Sequence, residues 1–456
     1  MKVRSLESLL GEYGQEHLLD GVDHLDPSVR ERFLGRLWFV DWAALAAAVE
    51  PPPLVAVEPP RVVTLAERRS RTQELRARGE EVYRDSRVAV LMVAGGEGTR
   101  LGFDGPKGCF PLAPHSRKSI YQLQAEKVVS LSRRVGQDLP LFVLTSPATD
   151  GKTREFFAAH DGFGLAPEQL RVFVQGTVPS VDRQGKALLT APGELLENPD
   201  GHGGAFTALV AGGHLERLRG DGVTHLVYLQ VDNVLAPVDD PELVGLAVAE
   251  EADVVTKVLE KAHPDERVGH LVRVGGRDRV VEYTELSPEQ TRARGGDGEL
   301  LFRWGSPAMH CWSVEFLARL AERGFRPPLH RSEKPLRAWV GGAVRDVEGW
   351  KHERFVFDLL PEAERSVGLE IERAGEFAPV KNADGEDSPA TAVELMHRNY
   401  VAWLDAAGVR VDLPEGARIE ISPLFAATRA QFLDRWDGRV DEVATDIYLE
   451  DGSYSA

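Results

Sequence analysis

The sequence predicts an α/β fold: a mixed, mainly parallel central sheet with helices on both faces, flanked by a helical N-terminal region and a small C-terminal α+β domain. Three observations predict it. Short continuous apolar runs such as VAVLMV at 88–93 read as strands buried on both faces. Helix-length segments alternate with such runs between residues 87 and 261, the pattern of a parallel sheet covered on two sides. After about residue 265 the texture becomes mixed, with an antiparallel hairpin read through Gly275 and Gly276.

In chain order, residues 1–48 read as helical, with Leu9, Leu10, Leu18 and Leu19 recurring among charges. PPPLVAVEPP at 51–60 reads as a stiff, extended connection, and a charged helix follows from about Leu65 to Asp85. Together, residues 1–86 form the expected N-terminal region. The central domain is expected over 87–387. Its strands are 88–93, LPLFVLTS, LRVFVQ, THLVYLQVDN and ADVVTKVLEK. Its helices are SIYQLQAEKVVSLSRRV, a segment near 152–160, GAFTALVAGGHLERLR and PELVGLAVAEE. Residues 352–373 give a further strand–helix–strand stretch. The C-terminal domain, 388–456, opens with the helix SPATAVELMHRNYVAWLDAAG and closes with the strands RIEIS and ATDIYLEDG.

Composition narrows the function. The chain has 456 residues, 54 Lys plus Arg against 72 Asp plus Glu, and a formal net charge of −18. Such an acidic surface argues against a nucleic-acid binder but leaves room for a locally basic pocket. Two cysteines, Cys109 and Cys311, support neither a disulfide framework nor a four-cysteine zinc site. The opening run lacks an apolar core of signal-peptide length, and no membrane span is readable, so a cytoplasmic protein is expected.

The chemistry concentrates at 93–112, VAGGEGTRLGFDGPKGCFPL. A buried strand ends at Gly95. Gly95, Gly96 and Gly98 make a turn without side chains, where backbone N–H groups can approach a phosphate. Arg100 and Lys107 add two cations on the same loop. The segment is not a P-loop, since no GK[ST] follows it; the GKT at 151–153 reads instead as a helix start. The dinucleotide fingerprint also fails, because Leu101 stands where its last glycine is required. Asp232 ends an apolar run, at the carboxyl edge where α/β sheets place ligands. A carboxylate there suits Mg²⁺, which takes one or two protein carboxylates plus phosphates and water.

Read as a set, the blocks resemble the UTP-dependent sugar-1-phosphate uridylyltransferases, nearest to eukaryotic-type UDP-N-acetylhexosamine pyrophosphorylases. The set comprises the glycine loop, PKG at 106–108, Gln175 with Gly176 and Pro179, PDGHGG at 199–204 and QVDN at 230–233. It continues with VTKVLEKAHPDERVG at 255–269, VVEYTEL at 280–286, FVFD at 355–358, EFAPVKNAD at 376–384 and EISP at 420–423. The resemblance implies a Rossmann-like nucleotidyltransferase (GT-A-like) central domain. It also implies the reaction of UTP with a sugar 1-phosphate, most closely N-acetylglucosamine 1-phosphate, giving UDP-sugar and pyrophosphate. UTP and the sugar phosphate are then the partners, with Mg²⁺ as cofactor.

The resemblance also carries residue roles. Arg100, Lys107 and Lys381 become the phosphate-contacting catalytic cations, and Asp232 the metal ligand. Gly95, Gly96 and Gly98 hold UTP; Gln175, Gly201, His202 and Gly203 belong to the uridine pocket and its neighbouring turn. Gly269, Glu282 and Ser306 fall at sugar-contacting positions. Two departures lie on the sugar side: His202 where the N-acetylhexosamine enzymes usually carry Asn, and Ser306 where they carry an Asn that touches the sugar. These keep glucose 1-phosphate, or a broad UDP-sugar pyrophosphorylase, as an alternative. A non-catalytic nucleotide-sugar-binding protein is the reading from another class, and the retained cations argue against it.

Overall fold

The computed structural model describes residues 5–48, 57–266, 268–296, 298–438, 440–450 and 453–455. Residues 51–56 of the expected proline-rich connection lie outside the described residues. The chain divides into two compact units. The first comprises Met1–Leu54, Gln175–Ala208 and Phe325–Leu359; the second comprises Val55–Val174, Leu209–Gly324 and Leu360–Ala456. This grouping cuts across the sequential three-part division, because the 1–86 region contributes to both units.

In the first unit, short helices Leu6–Glu12, Pro27–Phe39 and Trp42–Ala46 are started by side-chain caps from Ser5, Asp26 and Asp41. Their buried Leu10, Phe33, Leu37 and Trp42, with Leu18 of the short turn Glu16–Leu19, pack against Val178, Val181 and Leu195. Arg36 adds a forked pair of 3.1 Å hydrogen bonds from Nε to the Glu197 carboxylate. A long hairpin, His330–Val340 with Ala343–Glu353, turns through Gly341 and Gly342 at φ 60° and 86°. Its Gly-Gly signal was readable, but Pro335 and the run of charges hid the strands.

The second unit carries the central sheet. Its strands are β1 (Val88–Val93), β2 (Leu141–Thr145), β3 (Leu170–Val174), β4 (His225–Gln230), β5 (Val254–Glu260), β6 (Gly269–Val274), β7 (Arg277–Val281), β8 (Trp304–Ser306), β9 (His310–Ser313) and β10 (Ser366–Glu370). Strands β3, β2, β1 and β4 run parallel side by side. Antiparallel β9 joins β4 to β5, and β10 pairs parallel to β5. β8, β6 and β7 extend the sheet antiparallel, and the β6–β7 turn uses Gly275 and Gly276 at φ 59° and 77°, as the sequence indicated. The segment at 204–219 forms two helices rather than one, Gly204–Ala211 and His214–Gly220, broken where Gly213 takes φ 66°. No helix among the described residues is long and apolar enough to cross a membrane.

Helices Leu65–Arg84 and Pro241–Ala249 meet backbone to backbone. A Cβ on Gly79 would lie 1.9 Å from Pro241 O, and one on Gly245 only 1.8 Å from Leu75 O. Beside this contact, buried Lys257 of β5 is ion-paired to Asp240 and Glu376. Arg68 reaches Glu242 at 2.6 Å and Glu376 at 3.5 Å. Gly245→Ala is expected to cost about 1–3 kcal/mol through overpacking. A urea midpoint lowered at constant slope is the check, and an unchanged midpoint would show that the helices can part freely.

The C-terminal helix Pro389–Ala406 starts from a capping box at Ser388, next to the expected boundary at 387/388. Buried Lys118 ties the segment after the glycine loop to this end of the chain. It donates to Glu126 at 2.8 Å and to Ser422 at 2.9 Å, and pairs with Glu450.

Candidate active site

Strands β1 and β4 stay in register from Val88↔His225 to Val93↔Gln230, and the Val231 N–H donates to Val93 O at 3.0 Å. The glycine loop and the VDN turn therefore leave the same sheet edge side by side. Within the loop, the Lys107 N–H donates to Gly96 O at 3.0 Å and the Gly98 N–H to Gly105 O at 2.8 Å. The glycines divide by role. Gly95 is half-buried and Gly96 exposed, and a Cβ on Gly96 would meet nothing nearer than Lys107 Cε at 3.9 Å, so this part of the loop is open. Gly98 and Gly108 serve packing instead: a Cβ would lie 2.8 Å from the Phe103 ring and 2.4 Å from the Tyr121 ring. Arg100 sits exposed on the short turn Thr99–Leu101. The GKT segment lies in the helix Asp150–Ala159, as read.

Lys107 Nζ donates to Asp232 Oδ2 at 2.9 Å, with both side chains largely shielded. The next residue binds a second segment to this corner. Buried Asn233 accepts the Ala378 N–H on Oδ1 at 2.9 Å and donates from Nδ2 to Glu376 O at 2.9 Å. The Val380 N–H donates to Asp232 O at 3.0 Å. Lys381 follows directly, half-exposed, its Nζ 3.2 Å from Asp387 Oδ2 and above the Phe377 ring. Thus Lys107 and Asp232 meet at one corner of the second unit, and the segment that bears Lys381 is bonded to that corner through Val380. Asp384 of the same segment is exposed. No cluster of three or more metal-ligating side chains occurs among the described residues, so a metal here would rely on Asp232 with phosphate oxygens and water.

Gly269, Glu282 and Ser306 also come together. Gly269 of β6 pairs with Ser306 of β8, and a Cβ on Gly269 would lie 3.5 Å from Glu282 Oε1. Ser306 is buried, and its Oγ accepts the N–H of Ala308, which holds φ 54°.

The remaining expected residues belong to the first unit, and the glycines of the 199–204 turn have a different reason from the one read in sequence. A Cβ on Gly201 would lie 2.5 Å from Arg354 O, one on Gly203 2.6 Å from Arg354 C, and one on Gly204 1.9 Å from Asp200 Oδ1. Close approach of the 354–355 backbone and the Asp200 carboxylate thus requires them. Gln175 Nε2 sits 3.3 Å from both Asp200 Oδ1 and Gly201 O. Burial raises the Asp200 carboxyl to about 6, against the pull of Arg354. The His202 ring stacks on Phe355 at 5.4 Å and meets Phe357 edge-on at 5.0 Å, while Nδ1 accepts the Val356 N–H at 3.2 Å. Burial holds this imidazole neutral, with its pKa down at about 4. His202→Ala is expected to destabilise the fold by about 1–3 kcal/mol without changing sugar preference. An altered preference at unchanged urea midpoint would return His202 to the sugar side.

Sequence reasoning missed the supports of this corner. Gln124 and Lys127 lie on the helix Ile120–Val135, which is buried along most of its length. Gln124 Nε2 donates to Asn233 O at 2.9 Å, and Lys127 Nζ donates to Val234 O at 2.6 Å and Ala236 O at 2.9 Å. The available signal was a run of long polar side chains, Gln122, Gln124, Glu126 and Lys127, set between apolar positions of one helix.

A phosphate-type glycine loop and a carboxylate at neighbouring ends of parallel strands mark an α/β nucleotide-binding protein. Comparison narrows the class. Residues 55–297 match the family described as UTP--glucose-1-phosphate uridylyltransferase. The chain is 34% identical over 451 residues to UDP-N-acetylglucosamine diphosphorylase 2 of Arabidopsis thaliana, covering 92% of this chain and 89% of that protein. It is 34% identical over 376 residues to UDP-N-acetylglucosamine pyrophosphorylase of Saccharomyces cerevisiae, covering 79% and 78%. The crystal structure of the uridine diphosphate N-acetylglucosamine pyrophosphorylase from Trypanosoma brucei, solved with an inhibitor, superposes with TM-score 0.78 at 28% identity over 98% of this chain and 99% of that one. The chain belongs to the UTP--glucose-1-phosphate uridylyltransferase family.

Proposed function

We propose that this protein is a uridylyltransferase that makes UDP-N-acetylglucosamine and pyrophosphate from UTP and N-acetylglucosamine 1-phosphate. The observation that carries the reading is the corner at which Lys107 meets Asp232 at 2.9 Å while the segment bearing Lys381 is bonded to the Asp232 backbone. The printed names of its relatives support the choice of sugar.

In the reaction a sugar-phosphate oxygen forms a bond to the α-phosphorus of UTP as the bond from that phosphorus to the β-phosphate oxygen breaks. The attacking phosphate is already ionised, so no general base is needed, and the protein's task is alignment and charge neutralisation. Lys107 carries the α-phosphate region, Arg100 the leaving pyrophosphate, and Lys381 the phosphates from the side of its own segment. Asp232 would hold Mg²⁺, which when bound offsets phosphate charge. Gly95 and Gly96 provide the open stretch of loop for UTP. Gly269, Glu282 and Ser306 form the sugar-recognition group.

Pyrophosphate release in the presence of UTP and Mg²⁺ tests this reading. Release is expected with N-acetylglucosamine 1-phosphate. Release with glucose 1-phosphate alone would replace the sugar, and none with any sugar phosphate would leave only a binding protein. Ser306→Asn is expected to change the ratio of kcat/KM between the two sugar phosphates by about tenfold or more, with the KM for UTP unchanged. An unchanged ratio would remove Ser306 from sugar recognition.

A further inference from the structure

We infer that Asn233 is a positioning residue for Lys381: it acts on the reaction by holding segment 376–381 in place, and not by orienting its neighbour Asp232. This rests on the uridylyltransferase reading above.

All of the polar reach of Asn233 is directed away from Asp232. Its side chain is 2% exposed. Oδ1 accepts the Ala378 N–H and Nδ2 donates to Glu376 O, both at 2.9 Å, and Nδ2 also approaches Met309 Sδ at 3.6 Å. An isolated antiparallel bridge pairs Asn233 with Pro379, and both of its flanking backbone bonds are made: the Val380 N–H donates to Asp232 O at 3.0 Å and the Val234 N–H to Ala378 O at 3.4 Å. The Asn233 amide side chain adds two further bonds between the same strand end and this segment. It binds two residues just before Lys381, while Val380 is bound to the Asp232 carbonyl.

Both ends of this staple are themselves fixed. On one side, Gln124 holds the Asn233 carbonyl, and Lys127 holds those of Val234 and Ala236. On the other, the Glu376 carboxylate is paired with Lys257 and Arg68. Asn233 thus joins two anchored bodies: the strand end that bears Asp232 and the segment that bears Lys381. Lys381 itself is half-exposed, and its other contacts are with Asp387 and Phe377, close along the same stretch of chain. The lysine can thus hold a fixed place opposite the phosphates only as well as its segment is held. An error of about 1 Å in such a group costs about 100-fold in rate.

A double-mutant cycle on the full-length chain separates this role from a general one. Asn233→Ala is expected to lower kcat about 30-fold with little change in the KM for UTP. Lys381→Ala is expected to lower kcat about 100-fold, and the double variant to be no slower than Lys381→Ala within about threefold. In the Asp232→Asn background, by contrast, Asn233→Ala should still cost its full factor. Multiplicative losses with Lys381, or non-additivity with Asp232 alone, would overturn the inference. Hydrogen exchange decides the placement without any activity: in Asn233→Ala the Ala378 and Val380 amides should lose protection while those of β1 and β4 keep theirs. Unchanged protection would also overturn the inference. If Asn233→Ala does not fold, Asn233→Ser serves in the same cycle, since it shortens the reach to Glu376 O and the Ala378 N–H without adding a buried charge. A wild-type enzyme that releases no pyrophosphate rejects the uridylyltransferase reading, and the exchange result then still decides the role of Asn233.

Discussion

Lys107→Ala is expected to lower the kcat of pyrophosphate release by about 100-fold or more, with the fold intact. The side chain and backbone of Lys107 do separate work. Its N–H closes the loop onto Gly96 O, and Pro106 and Gly108 set the chain on either side; alanine keeps all of this. Only the ammonium is lost. In the structure that ammonium is neutralised by Asp232 at 2.9 Å. When phosphates bind, the same ammonium has anionic oxygens to satisfy, in a place already shielded from water, where a fixed charge is worth far more than at the surface. Lys107→Arg is not expected to restore the rate, because a planar fork cannot replace a compact point charge beside the carboxylate. Steady-state kinetics at saturating substrates, together with a melting curve, checks this. A kcat within about fivefold of wild type would show that Lys107 serves only as the counterion of Asp232.

Much of this was legible in the residues. The VAVLMV strand, the hairpin at Gly275–Gly276 and the loop with its two cations were readable because each follows from a local rule: buried period, turn chemistry or charge spacing. Gly269, Glu282 and Ser306, far apart in the sequence, lie together in the sheet. The unit boundaries were not legible, because the unit that residues 6–46 and 65–84 each join is set by packing against distant parts of the chain. The glycines of PDGHGG were read as open to a base. What requires Gly201 and Gly203 is the backbone of residues 354 and 355, more than 150 positions away in the chain, which no local pattern reports. Gln124, Lys127 and Asn233 were obscure for the same reason: an amide or ammonium reveals its purpose only when the carbonyls it holds are brought to it.

Asp232→Asn is expected to lower kcat by about 100-fold or more and to raise the Mg²⁺ concentration for half-maximal rate by about tenfold or more. The replacement is isosteric and leaves the backbone carbonyl that accepts the Val380 N–H, so segment 376–381 keeps its hold. What changes is the charge. Two roles for that charge make opposite predictions. If Asp232 served only to neutralise Lys107, its removal would free the ammonium for phosphate, and the rate would hold or rise. If it holds Mg²⁺, removal takes away the one protein carboxylate that this reading assigns to the ion. The rate should then fall and the Mg²⁺ requirement should rise together, because phosphate oxygens and water alone must retain the ion. A variant that turns over at wild-type speed with the same Mg²⁺ dependence would remove Asp232 from metal binding and leave the corner to its lysines.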